Sequence, residues 1–430
     1  MDTIYALASA RGRAGVAIVR VSGPRAFLIC KALAGKLPRP RVASLCVLKS
    51  NDLELDQALV LTFEKGASFT GEQVVEFHLH GGVAVIDAVL LALSEFDGLR
   101  LAEAGEFTRR ALENDCLDLA QVEGLADLID AETESQRRQA LRVLQGVLGD
   151  KSQIWQKDLL RATALLEATI DFVDEDVPVD VFPEVKALVG ATLDTINKEI
   201  SGSFAAEKIR EGFEVAIVGL PNIGKSTLIN TISGRDAAIT SSIAGTTRDV
   251  IEVKLSIDGL AVTFLDMAGI RDTIDEVETL GVQRAIDRAN QADLRLFLVF
   301  SEDDLKVIDV DRLKDDIVIF GKGDLLGSES RRVSGLSGQG VETLLKDIAL
   351  ILSNRVGNAS SITRERHRIA LLTAVDGLDS AIHLLSADED LSELSAEEIR
   401  RAVRALDSLI GRVDVEQVLG EIFSSFCIGK

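Results

Sequence analysis

Aromatic residues are scarce, 4 % of the 430 residues, with a single Trp and a single Tyr. Cores must therefore be built from Leu, Ile, Val, Ala and Phe. Basic side chains are outnumbered, 47 Lys and Arg against 69 Asp and Glu, for a formal charge of −22. That excludes a globally basic nucleic-acid coat; any nucleic-acid contact is local and works against the overall field. The four cysteines (Cys30, Cys46, Cys116, Cys427) are scattered, with no Cys-x-x-Cys pair. This spacing argues against zinc and against a disulfide framework, so a reducing cytoplasm is the expected compartment. No apolar run approaches the roughly 20 residues of a membrane span; the longest dense stretch, Leu294 to Phe300, is strand-sized. A basic-then-apolar leader is not expected either. What remains is an ordinary globular balance, 47 % hydrophobic and 27 % charged. Wholesale disorder is excluded, and the length predicts about two to four domains.

Three textures follow one another. Up to about residue 115, short apolar runs alternate with Gly-rich turns: Val16 to Val21, Leu59 to Phe63 and Val74 to Leu79, the last followed by Gly81-Gly82 and an apolar helix from Val83 to Leu93. Strands mixed with helices predict an α+β domain. From Asp118 the period changes: Leu119, Val122, Leu125, Ala126 and Ile129 share one helix face. A second helix is predicted over Ile154 to Ile170, broken by Pro178 and Pro183, and a further one leads to about Ser201. From Phe213 to about Leu352 the texture is β-α-β, with strands at 214–218, 251–257, 261–265, 294–300 and 317–320 and a hairpin turn at Asp258-Gly259. After Arg364 the chain is helical again; Ser395 and Glu398 read as a capping box. A βαβ unit flanked by helical segments predicts an insertion into one helical domain.

Gly219-Leu220-Pro221-Asn222-Ile223-Gly224-Lys225-Ser226 matches G-x-x-x-x-G-K-[ST], follows a strand, and opens a helix starting at Thr227. Glycines let backbone N–H groups converge on phosphate oxygens, and the helix N-terminus adds its positive end. Lys225 reaches the outer phosphates, and the Ser226 hydroxyl suits Mg²⁺. Asp266-Met267-Ala268-Gly269 ends a strand about 40 residues later; Asp266 is placed for the Mg²⁺ shell and the Gly269 N–H for a γ-phosphate. Between them, Gly245-Thr246-Thr247-Arg248-Asp249 offers a hydroxyl to complete the Mg²⁺ sphere. Gly321-Lys322-Gly323-Asp324 follows a strand; the Asp324 carboxylate suits the donor edge of guanine and rejects adenine. Ser334-Gly335-Leu336 stands where a last base-contacting loop belongs. Together these favour GTP over ATP, although a plain ATPase with a degenerate base loop is a further possibility. The residue after Asp266-x-x-Gly269 is Ile270, which cannot orient water as Gln does elsewhere; a carboxylate of Asp275-Glu276-Val277-Glu278 is a substitute, although acids suit a helix start in any case.

The order of these elements resembles the translation-factor class of small GTPases, with one departure: Gly321 stands where Asn is usual. Losing a buried hydrogen-bonding side chain costs about 1–3 kcal/mol, so weakened guanine binding with relaxed base selectivity is expected. The whole chain resembles the tRNA-modification GTPase family called MnmE or TrmE. Segments carrying the likeness run in order: Gly15 to Gly23, Ser68-Phe69-Thr70-Gly71-Glu72, His80-Gly81-Gly82, Gly105-Glu106-Phe107-Thr108-Arg109-Arg110-Ala111, Leu117 to Gln121, the nucleotide elements, and the terminal Ile422 to Lys430.

The resemblance implies an α+β folate-binding-like and dimerising domain at 1–115, a discontinuous all-α domain at 116–207 and 356–430, and an inserted Ras-like α/β P-loop GTPase domain at 208–355. Hinges are expected near Ser201–Gly212 and Asn354–Ser361. It implies a homodimer whose G domains pair face to face around K⁺, held by Asn222, Ser241, Ile243 and Thr246. Ser242, Ala244 and Gly245 lie in the same nucleotide-contacting loop, with Mg²⁺ on Ser226 and Thr247. Glu278 matches the residue that orients water. Arg20, Glu76 and Lys430 match folate-contacting positions; a fourth, usually Lys, is Cys116, which cannot pair with a folate carboxylate. Cys427, a thiol near the positive Lys430, is either reactive or simply packs the last helix; the resemblance implies that this tail reaches the folate site. The implied reaction adds an aminomethyl or carboxymethylaminomethyl group at carbon 5 of the wobble uridine of certain tRNAs. Its one-carbon unit comes from 5,10-methylene- or 5-formyl-tetrahydrofolate. A separate FAD- and NADH-dependent subunit, MnmG or GidA, acts in the same heterotetramer or larger complex. The competing reading is a GTPase switch for ribosome assembly, which would leave the folate-like front domain without a use.

Overall fold

The computed structural model describes residues 2–171, 181–234, 251–267, 276–323, 332–387, 391–411, 420, 422, 423, 426 and 429. These form two compact units, one of residues 1–126, 149–153 and 404–430, the other of 127–148 and 154–403.

The first unit is built on β1 (Thr3–Leu7), β2 (Ala14–Ser22), α1 (Ala26–Ala34), β3 (Ser44–Ser50), β4 (Leu53–Phe63), β5 (Val74–Gly81), α2 (Val83–Ser94), β6 (Leu99–Leu101) and α3 (Glu106–Glu113). The six strands pair in the order β3-β4-β5-β2-β1-β6. Neighbours are antiparallel except β1 with β6, which is parallel. α1 and α2 bury Ile29, Leu33, Val89 and Leu93 against Val19, Val21, Val60, Phe77 and Leu79 of the sheet. The alternation of buried and less buried residues along β2 and β5 leaves Arg20 and Glu76 on the opposite face, directly paired in register.

Helices then take over: α4 (Leu119–Ile129), α5 (Glu134–Leu144), α6 (Val147–Asp171), α7 (Phe182–Ser201) and α8 (Ser203–Glu211). A reciprocal cap starts α5, with Thr133 accepting from the Gln136 N–H and Gln136 accepting from Thr133. Pro183 sits in the first turn of α7, where its missing N–H costs nothing. Pro178 lies outside the described residues. The segment expected as a hinge, Ser201–Gly212, is instead mostly the helix α8: its Ala, Glu, Lys and Arg residues favour helix, and Ala206 is buried.

The second sheet uses β7 (Phe213–Val218), α9 (Lys225–Ser233), β8 (Ile251–Ile257), β9 (Leu260–Asp266), α10 (Glu276–Gln291), β10 (Leu294–Val299), β11 (Ile317–Phe320) and α11 (Val341–Val356). Its order is β11-β10-β7-β9-β8, parallel throughout except for the β8–β9 hairpin. That hairpin turns at Asp258-Gly259, both with positive φ, as the tight turn requires. Both faces are buried, which is why β7 and β10 are apolar at every position but Glu214 and Arg295. α12 (Glu365–Leu384) and α13 (Ser392–Ile410) close the chain, and α12 packs along α7. The two ends of the inserted α/β portion meet: Ser360 N–H donates to Gly202 O at 3.2 Å, and Ser361 donates through its N–H and hydroxyl to Glu199. The capping box expected at Ser395 is a misreading. α13 begins at Ser392, and the Ser395 hydroxyl donates back to Leu391 O within the helix.

Candidate functional site

β7 ends at Val218, and the chain must reverse into α9 while passing β10. Gly219 makes this passage possible: a Cβ there would lie 2.3 Å from Leu298 O of β10. Asn222 and Gly224 both adopt positive φ, 62° and 107°, which turns the loop into α9, whose first residue is Lys225. Ile223 anchors the loop in the core.

Lys225 is buried, and its Nζ donates to Gly219 O at 2.7 Å and Leu220 O at 3.2 Å. The ammonium thus arches over the loop. Burial pushes its pKa below the usual lysine range, while the nearby Asp266 carboxylate pulls it back up. Asp266 ends β9, in register with Ile217 of β7, and is 2 % exposed. Neither of its carboxylate oxygens has a hydrogen-bond partner among the described residues. A buried, unpaired carboxylate is costly unless a cation or ordered water completes it. The donor types, a hard carboxylate at the end of β9 and the Ser226 hydroxyl in the first turn of α9, suit Mg²⁺.

The base side is a cavity of about 290 Å³ that joins three sequence elements. Asn222, Gly224 and Thr227 come from the phosphate loop and α9, Gly321 and Lys322 follow β11, and Ser334 to Leu336 form the loop before α11. Gly335 packs directly on Thr227 and Leu228, and the Thr231 hydroxyl donates to Gly335 O. Ser334 is buried, with its hydroxyl accepting from Ser337 N–H at 3.2 Å, while Leu336 stands exposed at the rim. Lys322 has positive φ and lays its Nζ over the Phe300 ring at 4.8 Å, a neighbour that the sequence pattern did not single out. Met267 is buried behind Asp266. Glu278 belongs to the first turn of α10; its side chain lies outside the described set. Also outside it are Ser241, Ser242, Ile243, Ala244, Gly245, Thr246, Thr247, Ala268, Gly269 and Asp324.

In the first unit the structure joins Arg20 to Glu76, with Nε and a terminal guanidinium nitrogen each 3.0 Å from Oε1. His78 Nε2 lies 3.4 Å from the other Glu76 oxygen. The Arg20 guanidinium sits 5.5 Å from the centroids of both Phe69 and Phe107. Glu76 and Cys116 line one cavity of about 430 Å³, shared with Phe63, Phe69 and Arg41. Arg41 and Phe63 are wall residues that sequence reasoning missed; the signal available was the basic, Pro-punctuated stretch Lys36-Leu37-Pro38-Arg39-Pro40-Arg41. The Cys116 thiol is held above its ordinary range by burial and by Asp115, so it is neutral at physiological pH. Cys427 and Lys430 lie outside the described residues. Between them Gly429 packs on the backbone of Leu7, where a Cβ would come within 2.1 Å of Leu7 O. Phe423 and Phe426 pack with Val122, and Arg109 reaches over the Phe423 ring.

The motif residues Glu72, Glu106 and Arg110 are used up internally. Arg110 bridges Glu72 at 3.1 Å, Glu106 at 3.0 Å and Asp2 at 2.7 Å, and Ser22 donates to Glu72 at 2.7 Å. These charges hold the fold and leave the cavity to others.

A strand, a phosphate loop opening a helix, a buried lysine and a strand-end aspartate on a parallel sheet define a P-loop nucleotide-binding protein of the GTPase class. Two family models match this chain: the MnmE helical domain over residues 119–427 and the GTP-binding protein TrmE N-terminus over 3–116. Among curated relatives, the tRNA modification GTPases MnmE of Cereibacter sphaeroides (strain ATCC 17029 / ATH 2.4.9) and Roseobacter denitrificans are 59 % and 55 % identical. That of Caulobacter vibrioides is 46 % identical, and each of the three alignments covers 100 % of both chains. The chain belongs to the MnmE family of tRNA modification GTPases. Among solved structures, a variant of Aquifex aeolicus Era bound to GDP.AlF4- is 21 % identical, covering 42 % of this chain and 69 % of that one at a TM-score of 0.26, a likeness too loose to build on.

Proposed function

We propose that this GTPase hydrolyses GTP in a potassium-dependent manner and works with an FAD-dependent partner to place a carboxymethylaminomethyl or aminomethyl group on carbon 5 of the wobble uridine of certain tRNAs, the one-carbon unit coming from a tetrahydrofolate derivative. The observation that carries it is the pairing of a buried, carbonyl-bound Lys225 with the buried, unpartnered Asp266 at the mouth of one phosphate loop. On binding, the phosphate oxygens replace the Gly219 and Leu220 carbonyls as acceptors for Lys225 and favour the charged form of an amine that burial disfavours. Asp266 and Ser226 would hold Mg²⁺, which neutralises developing phosphate charge. The α9 N–H groups fix the polyphosphate, and Ser334 to Leu336 with Gly321 wall the base.

Glu278, in the first turn of α10, is assigned to orient the attacking water, since Ile270 cannot. Potassium, on Asn222, Ser241, Ile243 and Thr246, would supply positive charge where two G domains of a homodimer face each other. In the first unit Arg20 and Glu76 offer a donor and an acceptor beside aromatic rings, which supports folate as the ligand of that cavity. Cys427 and Lys430 are assigned to the same chemistry, which the seat of Gly429 against Leu7 supports.

Hydrolysis compared in potassium and sodium buffers of equal ionic strength tests the first step. A clear potassium stimulation is expected, lost in Glu278→Ala with nucleotide affinity retained. Equal rates in both salts overturn the potassium assignment, and undiminished turnover in Glu278→Ala removes that residue. Mass spectrometry of wobble nucleosides from a deletion strain tests the modification; normal nucleosides overturn it in favour of a ribosome-assembly switch.

A further inference from the structure

Most arginines whose contacts are described in this acidic chain are spent on carboxylates, as Arg20, Arg100, Arg110, Arg288, Arg295, Arg400 and Arg401 show. Arg41 is an exception with a purpose. It lines the 430 Å³ cavity of Glu76 and Cys116, and no carboxylate pairs with it among the described residues. Its place is built. The Arg41 N–H donates to Thr62 O at 2.9 Å, one guanidinium nitrogen donates to Ala67 O at 2.7 Å, and the guanidinium lies over the Phe63 ring at 5.8 Å from the centroid. The backbone holds φ at 59°, the left-handed region that a side chain other than Gly or Asn enters at a cost. Such strain persists where the surroundings dictate it, and it clusters at ligand clamps.

Arginine carries five N–H donors, and a fork of this kind matches a carboxylate in two places at once. The other charged lining residue, Glu76, is an acceptor already bonded to Arg20, so the cavity is lined by an acceptor, by a cation with no carboxylate partner among the described residues, and by the rings of Phe63 and Phe69. It therefore fits a flat heteroaromatic ring with a donor edge and a carboxylate at its far end. Cys116, neutral and unable to pair with an anion, cannot be the carboxylate's partner.

We propose that Arg41 binds the carboxylate of the folate ligand in this cavity and so sets its affinity and pose, supplying the cation that Cys116 does not. This rests on the folate reading above. The test is calorimetric titration of the full-length protein with 5-formyl-tetrahydrofolate, and with a tetrahydropterin lacking the benzoyl-glutamate tail. Arg41→Gly removes the cation while placing at φ 59° the residue that tolerates it best, so folding is preserved; Arg41→Lys keeps a point charge. The folate should bind Arg41→Gly about 10-fold or more weakly than wild type, with Arg41→Lys in between. The tailless pterin should bind all three proteins equally. Folate binding that is the same in wild type and Arg41→Gly overturns the assignment of Arg41 and leaves the folate reading standing. Failure of wild type to bind the folate overturns both.

Discussion

The N-terminal α+β domain and the nucleotide-binding domain both bury ionised groups, and they treat them in opposite ways. Around Arg110 every charge is answered: Glu72, Glu106 and Asp2 surround one guanidinium, and Arg100 caps Glu106 from the other side at 2.6 Å. In the phosphate site, Lys225 donates only to carbonyls and the nearby Asp266 accepts no hydrogen bond among the described residues. The contrast is between sites and not between domains, because the second sheet also holds a settled pair, Arg295 with Asp316 at 2.8 Å, both almost fully buried. A satisfied buried network serves the fold; an unsatisfied one is held ready for a ligand at a cost in stability. Two motifs equally prominent in the sequence, Gly105 to Ala111 and Gly219 to Ser226, thus have different jobs.

Substitutions should separate these jobs. Arg110→Met leaves Glu72 buried without its cation and strips Glu106 of one of its two, Arg100 remaining, and it should cost about 3–5 kcal/mol of folding stability. Thermal or urea unfolding measures this, and a loss under about 1 kcal/mol would show that the network is replaceable. Asp266→Asn should do the reverse. On the proposed reading, in which Asp266 would hold Mg²⁺, hydrolysis should fall on the order of 100-fold or more, while the unfolding midpoint of the nucleotide-free protein stays level or rises. A marked loss of stability would mean that Asp266 has a structural partner.

The pH dependence sharpens the same comparison. The Glu106 carboxyl is raised by burial, but hydrogen bonds from Arg100, the Glu103 N–H and Arg110 outweigh this and hold it below its ordinary value. Its contribution is therefore present above the unfolded-state pKa of 4.5 and is lost as pH falls through the lower folded value. Lys225 is also depressed, but it is a base. Between its folded value and 10.5 the unfolded chain binds the extra proton, so stability of the nucleotide-free protein rises with pH through that window. Unfolding midpoints measured across the alkaline range should show this rise in wild type and lack it in Lys225→Met. A rise of the same size in both would assign it to another group.

Legibility in the sequence follows the same division between what is local and what is not. β8 and β11 are readable to the residue: β11 is an unbroken apolar run, and β8 alternates Ile, Val, Leu and Ile with polar residues up to the Asp258-Gly259 turn. The phosphate loop is readable because its chemistry is contiguous. β1, β3 and β6 escape notice: β6 is three residues long, and nothing in Thr3–Leu7 announces that its partners are β2 and a strand more than 90 residues away. Ser395 misleads because a Ser-x-x-Glu pattern also occurs inside a helix already begun, and α8 looks like a linker because short helices lack periodic turns to count. In the first unit, the cavity pairs Glu76 with Arg41 and Cys116 across long sequence gaps, so only the fold could assemble it.

The smallest expected effect falls on Gly321, where the nucleotide site departs from its class. Gly321 continues the sheet, its N–H donating to Val299 O at 2.9 Å, and its backbone needs no glycine because its φ is ordinary. A Cβ there would stand 3.4 Å from both Ile223 O and Leu298 Cδ1, at the edge of ordinary contact, so a side chain fits with little adjustment. That carbonyl belongs to the phosphate loop, and a carboxamide reaching it would tie the base side of the cavity to the phosphate side. One added hydrogen bond is worth about 0.5–1.5 kcal/mol net. Gly321→Asn should therefore tighten GDP and GTP binding by roughly 2- to 10-fold, chiefly by slowing release of a fluorescent GDP analogue. Gly321→Ala, which adds the Cβ without the amide, should leave release unchanged. If Ala slows release as much as Asn, filling of space and not the hydrogen bond governs the gain; if Asn speeds release, the loop at Ile223 needs the freedom that glycine leaves it.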